Sequence, residues 1–384
     1  MSLVRTLPSA LLLLPLLGCG GDELFSPAAG RSSFDWQLPP GFPTPVVPAD
    51  NPMSAAKVDL GRHLFYDRRL SGNGTQSCAS CHLQSRAFTD GRVVGIGSTG
   101  ERHPRNSMSI ANVGYASVLN WGNPNLASLE QQALLPMFGE SPVELGLAGM
   151  ENELLARLQA DSVYGRLFRS AFPERPSPVS VETITKALAS FQRSLISGDS
   201  PYDRYKFRND RTAMSASALR GEALFFSEET ECFHCHAGVM FSASTEYVGK
   251  AFREQEYFNN GLYNVGGTGA YPADNTGLKE FTGLAADMGS HKAPTLRNIA
   301  VTAPYMHDGS IATLGEVIDH YARGGRLIRE GPHAGDGALS PFKNGFVKGF
   351  TITSQEKADL IAFLESLTDS TLLTSPRFAN PWRR

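Results

Sequence analysis

The chain has 384 residues, with 35 Lys and Arg against 38 Asp and Glu, for a net charge of −3. That length is enough for about two domains with hydrophobic cores of their own. The nearly balanced charge argues against a nucleic-acid binder.

The first segment reads as an address, not as fold. Arg5 precedes an apolar run from Ala10 to Leu17 that is too short for a permanent membrane span. The run ends in Leu16-Leu17-Gly18-Cys19, the pattern of a bacterial lipoprotein cleavage box. Residues 1–19 are therefore expected to be a signal peptide, with Cys19 as the lipidated N-terminus. A plain secretory signal with an incidental cysteine is the alternative. Either reading exports the protein. The lipid would hold it at a membrane facing the periplasm or the exterior, and Gly20 favours the outer membrane. Residues 20–50 are rich in Pro, Gly and Ser and are expected to act as a tether, with Phe34, Trp36 and Leu38 packing onto the body.

An internal repeat follows. Gly61-Arg62-His63-Leu64-Phe65-Tyr66 is matched by Gly221-Glu222-Ala223-Leu224-Phe225-Phe226, each closing a helix-like stretch that Ser54 or Ser215 can cap. Val181, Ile184, Leu188, Phe191 and Leu195 keep the spacing of a buried helix face. Thr353 and Glu356 form a capping box ahead of Leu360, Ile361, Leu364 and Leu367. No long alternating strand pattern is visible. The expected fold is mainly α, with an N-terminal domain over 51–200 and a C-terminal domain over 201–384, divided near Ser197-Gly198-Asp199-Ser200-Pro201.

Each repeat leads into a pair of cysteines. In an oxidising compartment four cysteines can make two disulfides. The residue after each pair argues otherwise: Cys78-Ala79-Ser80-Cys81-His82 and Cys232-Phe233-His234-Cys235-His236 are both Cys-x-x-Cys-His. Two thiols on one turn can add across the two vinyl groups of a haem, and the next residue gives its imidazole to iron. The motifs imply two covalent haems c. A second axial side chain saturates the iron and makes an electron carrier, whereas an open position lets peroxide bind.

With these motifs the sequence resembles the bacterial dihaem cytochrome c peroxidase and MauG superfamily, from about Pro52 to Leu367. Supporting segments are Pro104-Arg105-Asn106, Trp121, Pro142-Val143-Glu144, Pro294-Thr295-Leu296-Arg297-Asn298 and Ala303-Pro304-Tyr305-Met306-His307-Asp308-Gly309. A narrower resemblance to MbnH-like dihaem enzymes rests on Leu38-Pro39-Pro40-Gly41-Phe42, Ser71-Gly72-Asn73-Gly74-Thr75 and His103-Pro104-Arg105-Asn106-Ser107-Met108-Ser109. The fold implied is two cytochrome c-like domains with one covalent haem each.

The resemblance assigns roles residue by residue. It implies that Trp121 lies between the haems, where an indole can relay an electron hole; a core tryptophan is the bland reading. It implies a peroxide pocket of Gln132, Pro136 and Glu144, with Glu144 moving the peroxide protons and Gln132 holding the peroxide. Taken alone, Glu144 is equally a surface carboxylate or a helix cap. The family position of a blocking distal histidine falls near Ser98, so the first haem is expected to be open; His103 is the nearest histidine that would close it. The second haem is expected to take Tyr321 as its distal ligand where peroxidases have Met, with His320 and Met306 as alternatives. A calcium ion held by the Asn106 side chain and the carbonyls of Thr302 and Pro304 is implied as well.

The implied activity is peroxide-dependent. Two oxidising equivalents, held in a bis-ferryl-like state, would convert a tryptophan of an MbnP-like copper-binding partner to kynurenine. The rivals are a simple peroxidase fed by a small cytochrome c or copper protein, and a non-enzymatic dihaem electron carrier.

Overall fold

The hydroxyl of Ser54 accepts the Lys57 N–H at the head of the helix Ala55–Tyr66, and Ser215 does the same for Ala218 at the head of Ala216–Phe225. Each cap satisfies a donor that the first helical turn leaves orphaned. The computed structural model describes residues 34–382, so the expected signal peptide and Cys19 lie outside the described residues.

The sequence repeat is a packing repeat. Ala55–Tyr66 lies on the helix Val181–Arg193, and Ala216–Phe225 lies on Ser354–Glu365. A Cβ on Gly61 would stand 2.0 Å from the Ala187 carbonyl oxygen, and one on Gly221 would stand 1.9 Å from that of Asp359. Only the missing side chains let the helix backbones come this close. One turn further on, Phe65 meets Phe191 and Phe225 meets Phe363, with ring centroids 5.1 and 5.0 Å apart. All four rings are buried. The glycine makes the approach and the phenylalanine four residues later fills the space beside it. Ser180 caps Val181–Arg193, and Thr353 and Glu356 form the expected reciprocal capping box on Ser354–Glu365.

The molecule is mainly α. Among the described residues the sheets are two short pairs, Tyr257–Phe258 with His291–Lys292 and Leu327–Ile328 with Gly335–Asp336. The apolar interior forms two large clusters. One gathers residues from Leu60 to Leu195, the other residues from Tyr202 to Leu367. Leu372 and Phe378 return to the first cluster, so the chain end belongs to the core of the N-terminal half.

The segment between the clusters is a buried strut. Ser197, Gly198 and Asp199 all donate to the Asp369 carboxylate, and Asn112 grips Ser197 through two further hydrogen bonds. Nearby, Arg297 is fully buried and makes a bidentate pair with Asp203, both N–O distances being 2.9 Å. Its guanidinium lies 4.6 Å from the Phe42 ring centroid. Phe42 is buried, and Tyr115 donates to the Pro43 carbonyl. This part of the Pro-rich stretch is therefore wall, and a free tether does not extend through it. No described helix is long and apolar enough to cross a membrane.

Candidate active site

Each cysteine pair sits on a single helical turn, Cys78–Cys81 and Cys232–Cys235, with the motif histidine as its C-cap. The four thiols are unbridged. Burial pushes the Cys78 and Cys235 thiols up to about 12 and Cys81 to about 11, and raises Cys232 as well. Walls that raise a thiol in this way suit an uncharged thioether. His82 Nδ1 is 2.7 Å from the Phe88 carbonyl oxygen, and His236 Nδ1 is 3.1 Å from that of Phe241. With Nδ1 bonded, each imidazole keeps Nε2 free to ligate, and its ring is fixed in orientation. Phe88 and Phe241 both have left-handed backbones, φ 64° and 49°, so this detail is repeated as well.

Each motif opens on a cavity. The atom-free space, including the part open to solvent, is about 1410 Å³ at the first and 1310 Å³ at the second.

The first cavity brings together Cys78, Cys81, His82, Gln132, Pro136 and Glu144, with Trp121 in its wall. The short helices Leu129–Gln132 and Leu134–Phe138 supply Gln132 and Pro136. The Pro136 carbonyl accepts the Leu145 N–H at 2.8 Å, and the Glu144 carbonyl accepts the Ser98 N–H at 2.6 Å. These bonds hold both ends of the peptide group that follows Glu144. Glu144 lines the cavity with its side chain half-buried, and desolvation by the surrounding walls pushes its carboxyl up to about 7. Such a group can exchange a proton near neutrality.

His103 also faces this cavity, while Ser98 is not part of its lining. His103 Nδ1 accepts the Arg105 N–H at 3.1 Å, which places the ring proton on Nε2. That nitrogen lies 3.8 Å from Glu144 Oε1. Burial lowers the His103 pKa, so the ring is neutral at pH 7. No local sequence pattern pairs His103 with Glu144, because the contact depends on how two loops fold over the cavity.

The second cavity is lined by Cys232, Cys235, His236, Met306 and Tyr321, with mostly apolar walls. Tyr321 stands on the helix Leu314–Arg323. Burial pushes its phenol up to about 12. No protein group here makes it a phenolate; a metal cation in the cavity would. His320 is directed elsewhere, its Nε2 lying 3.0 Å from the Asn260 carbonyl oxygen. Met306 Sδ accepts from Asn260 Nδ2 at 3.3 Å. Tyr321 and Met306 line the cavity and His320 does not, and the Asn260 side chain lies beside both the Tyr321 hydroxyl and the Met306 sulfur. Lys292, overlooked in the sequence, also lines this cavity; burial lowers its pKa to about 8.

Trp121 walls both cavities. Its Nε1 donates to the Asn106 carbonyl at 2.9 Å, and its own carbonyl accepts the Lys292 N–H at 2.9 Å. Residue 121 is thus held from both halves of the chain, by its ring on one side and its main chain on the other. Asn106 also donates its backbone N–H to the His307 carbonyl at 2.8 Å and its side-chain amide to the Arg92 carbonyl at 2.8 Å. Among the described residues, no protein donor bonds Asn106 Oδ1 or the carbonyls of Thr302 and Pro304.

A profile of the family described as di-haem cytochrome c peroxidase matches residues 55–212. Cytochrome-c peroxidase IdrP1 of Denitromonas iodatirespirans is 35% identical over 371 residues, covering 89% of each chain. The chain belongs to the dihaem cytochrome c peroxidase and MauG family. The methylamine utilization protein MauG of Methylorubrum extorquens is 32% identical over 324 residues, 83% of this chain and 80% of that one. A solved structure of a MauG-like protein associated with microbial copper homeostasis superposes with TM-score 0.89 at 52% identity, covering 91% of this chain and all of that one. Membership of the dihaem family implies two haems c, and Cys78, Cys81 and His82 with Cys232, Cys235 and His236 are the residues that would hold them. The paired thiols, the Nε2 atoms left free and the two cavities fit that pair of haems. The protein is a dihaem oxidoreductase of the peroxidase class.

Proposed function

We propose that this protein uses hydrogen peroxide to oxidise a tryptophan side chain of an MbnP-like copper-binding partner, giving kynurenine. The observation that carries the reading is Trp121, shared by two chemically different cavities: one offers Glu144, Gln132 and His103, the other Tyr321. The haems supply redox chemistry at peroxide and storage of oxidising equivalents. The protein's own groups do the rest. Glu144 takes a proton from one peroxide oxygen and returns it to the departing one, and Gln132 orients the bound peroxide. Tyr321 would offer the second haem an anionic oxygen donor, which would favour the oxidised metal over the reduced one. Trp121 passes electrons between the halves, so the substrate need not enter a cavity. Overall, two peroxides and one indole give N-formylkynurenine and two waters, and hydrolysis then removes the one-carbon unit as formate.

The copper-homeostasis association of the structural neighbour at 52% identity supports a copper-binding partner. Export, a Cys19 lipid anchor and a calcium ion held by Asn106, Thr302 and Pro304 belong to the same proposal; the three bond-free oxygens suit a hard cation. The test is peptide mapping of an MbnP-like partner treated with holoenzyme and peroxide. One tryptophan should carry the kynurenine mass change. Intact partner tryptophans beside rapid oxidation of a small cytochrome would replace this reading with that of a simple peroxidase, which the relatives named cytochrome-c peroxidase favour.

A further inference from the structure

Trp121 does not end the aromatic system between the cavities. Its ring centroid lies 6.4 Å from that of His307. His307 stacks on His291 at 3.7 Å and an interplanar angle of 11°. Tyr271 follows, 6.1 Å from His307 and 6.2 Å from His291. Tyr263 is 5.4 Å beyond Tyr271, and the exposed His333 is 5.7 Å beyond Tyr263. Every ring before His333 is buried. A continuous file of π systems therefore runs from the wall shared by the cavities to the protein surface.

The two tyrosines differ in what their hydroxyls meet. Tyr271 donates to the side-chain amide oxygen of Asn259 at 2.9 Å, and an amide oxygen does not take up a phenolic proton. Tyr263 donates to Asp308 Oδ2 at 2.6 Å, and a carboxylate does. A phenol loses an electron far more readily when its proton can leave with it. His291 and His307 are held neutral by burial, and a neutral imidazole is harder to oxidise than a phenol. The stack is thus a bridge, Tyr271 a passing place and Tyr263 a resting place.

We propose that Tyr263, with Asp308 as its proton acceptor, is a redox relay residue that carries an oxidising equivalent from Trp121 to the surface at His333. This deepens the peroxide-dependent reading and rests on it. Peroxide is the oxidant, reduced to water with two protons and two electrons drawn from the protein. One electron moves from Tyr263 through Tyr271 and the imidazole stack to oxidised Trp121, which returns to its closed-shell form. The Tyr263 O–H bond breaks and the proton bonds to Asp308 Oδ2, leaving a neutral tyrosyl radical. An oxidisable side chain of a protein docked over His333 then supplies an electron, and the proton goes back from Asp308 to the phenolate oxygen.

The test is freeze-quench electron paramagnetic resonance on dihaem holoenzyme mixed with peroxide, with no partner present and with ring-deuterated tyrosine to assign the signal. The wild type should give a tyrosyl signal. Tyr263→Phe and Asp308→Asn should each lose it while keeping two haems and the wild-type rate of peroxide consumption, and Tyr205→Phe should retain it. A tyrosyl signal that survives in Tyr263→Phe, or normal peroxide consumption with no tyrosyl signal in the wild type, overturns the relay and leaves the peroxide reading standing. Failure of the wild-type holoenzyme to consume peroxide overturns both.

Discussion

His103 Nε2 lies 3.8 Å from Glu144 Oε1, and the two side chains face the same cavity. A half-buried carboxyl beside a neutral imidazole is a proton-handling site without a fixed charge. The carboxylate form is the base for peroxide, and burial delays its appearance until about pH 7. The rate of peroxide cleavage should rise as pH passes upward through that value. Glu144→Gln should slow cleavage by roughly 100- to 10,000-fold and flatten the profile, with haem content unchanged. Stopped-flow kinetics across pH 5.5 to 8.5 (roughly one and a half units either side of the carboxyl, enough to see both limbs) reads both effects, and a wild-type-like variant returns Glu144 to a structural role.

His103 has one ring nitrogen engaged with Arg105 N–H and the other turned toward Glu144. The first haem should therefore lack a histidine distal ligand. His103→Gln should leave the electronic spectrum of that haem at neutral pH unchanged. Conversion from a low-spin to a high-spin spectrum in the variant would show that His103 had been the ligand.

Tyr321→Met exchanges a hard anionic donor for a thioether in the second cavity. The potential of that haem should rise, and the first haem should keep its own. Potentiometric titration of both proteins separates the two. An unchanged potential means that Tyr321 does not reach the iron.

Much of the framework was legible because it depends on local chemistry. Ser54, Ser215, Thr353 and Glu356 cap helices by contacts within one turn, and the Cys-x-x-Cys-His spacing fixes thiols and imidazole on one turn as well. Gly61 and Gly221 were visible as a repeat, but the carbonyls of Ala187 and Asp359 that require them lie far along the chain. Arg297 was seen within a motif, without its partner Asp203 or the Phe42 ring beneath it. Phe42 itself was assigned to a tether, since a Pro-rich stretch carries no periodicity to reveal what it packs on. His103 was noticed as the histidine nearest the pocket, and only the folded loops put it against Glu144. The His291–His307 stack left no pattern in the sequence at all.

The glycine contacts predict matched defects in the two halves. Gly61→Ala and Gly221→Ala each push a methyl onto a helix backbone that cannot rotate away. Overpacking of this kind costs about 1–3 kcal/mol. Thermal denaturation should show a lowered midpoint for both, and Gly61→Ser should be at least as damaging. A neutral Gly61→Ala would mean that the helix pair has slack.

Breaking the buried Arg297–Asp203 pair should be worse. Asp203→Asn leaves a guanidinium with no counter-charge in a site closed to water, at a cost of about 3–5 kcal/mol. Denaturant titration measures it, and a loss below about 1 kcal/mol, the range of exposed pairs, would contradict the packing described for the strut.

The proposed function requires two haem sites that differ in access, one open beside Glu144 and one closed by Tyr321. Carbon monoxide titration of the fully reduced dihaem protein tests that difference most directly. One carbon monoxide should bind per chain, with Tyr321→Met still binding one. Binding at neither haem would make the protein an electron carrier, and binding at both in the wild type would remove Tyr321 as the feature that distinguishes the second site.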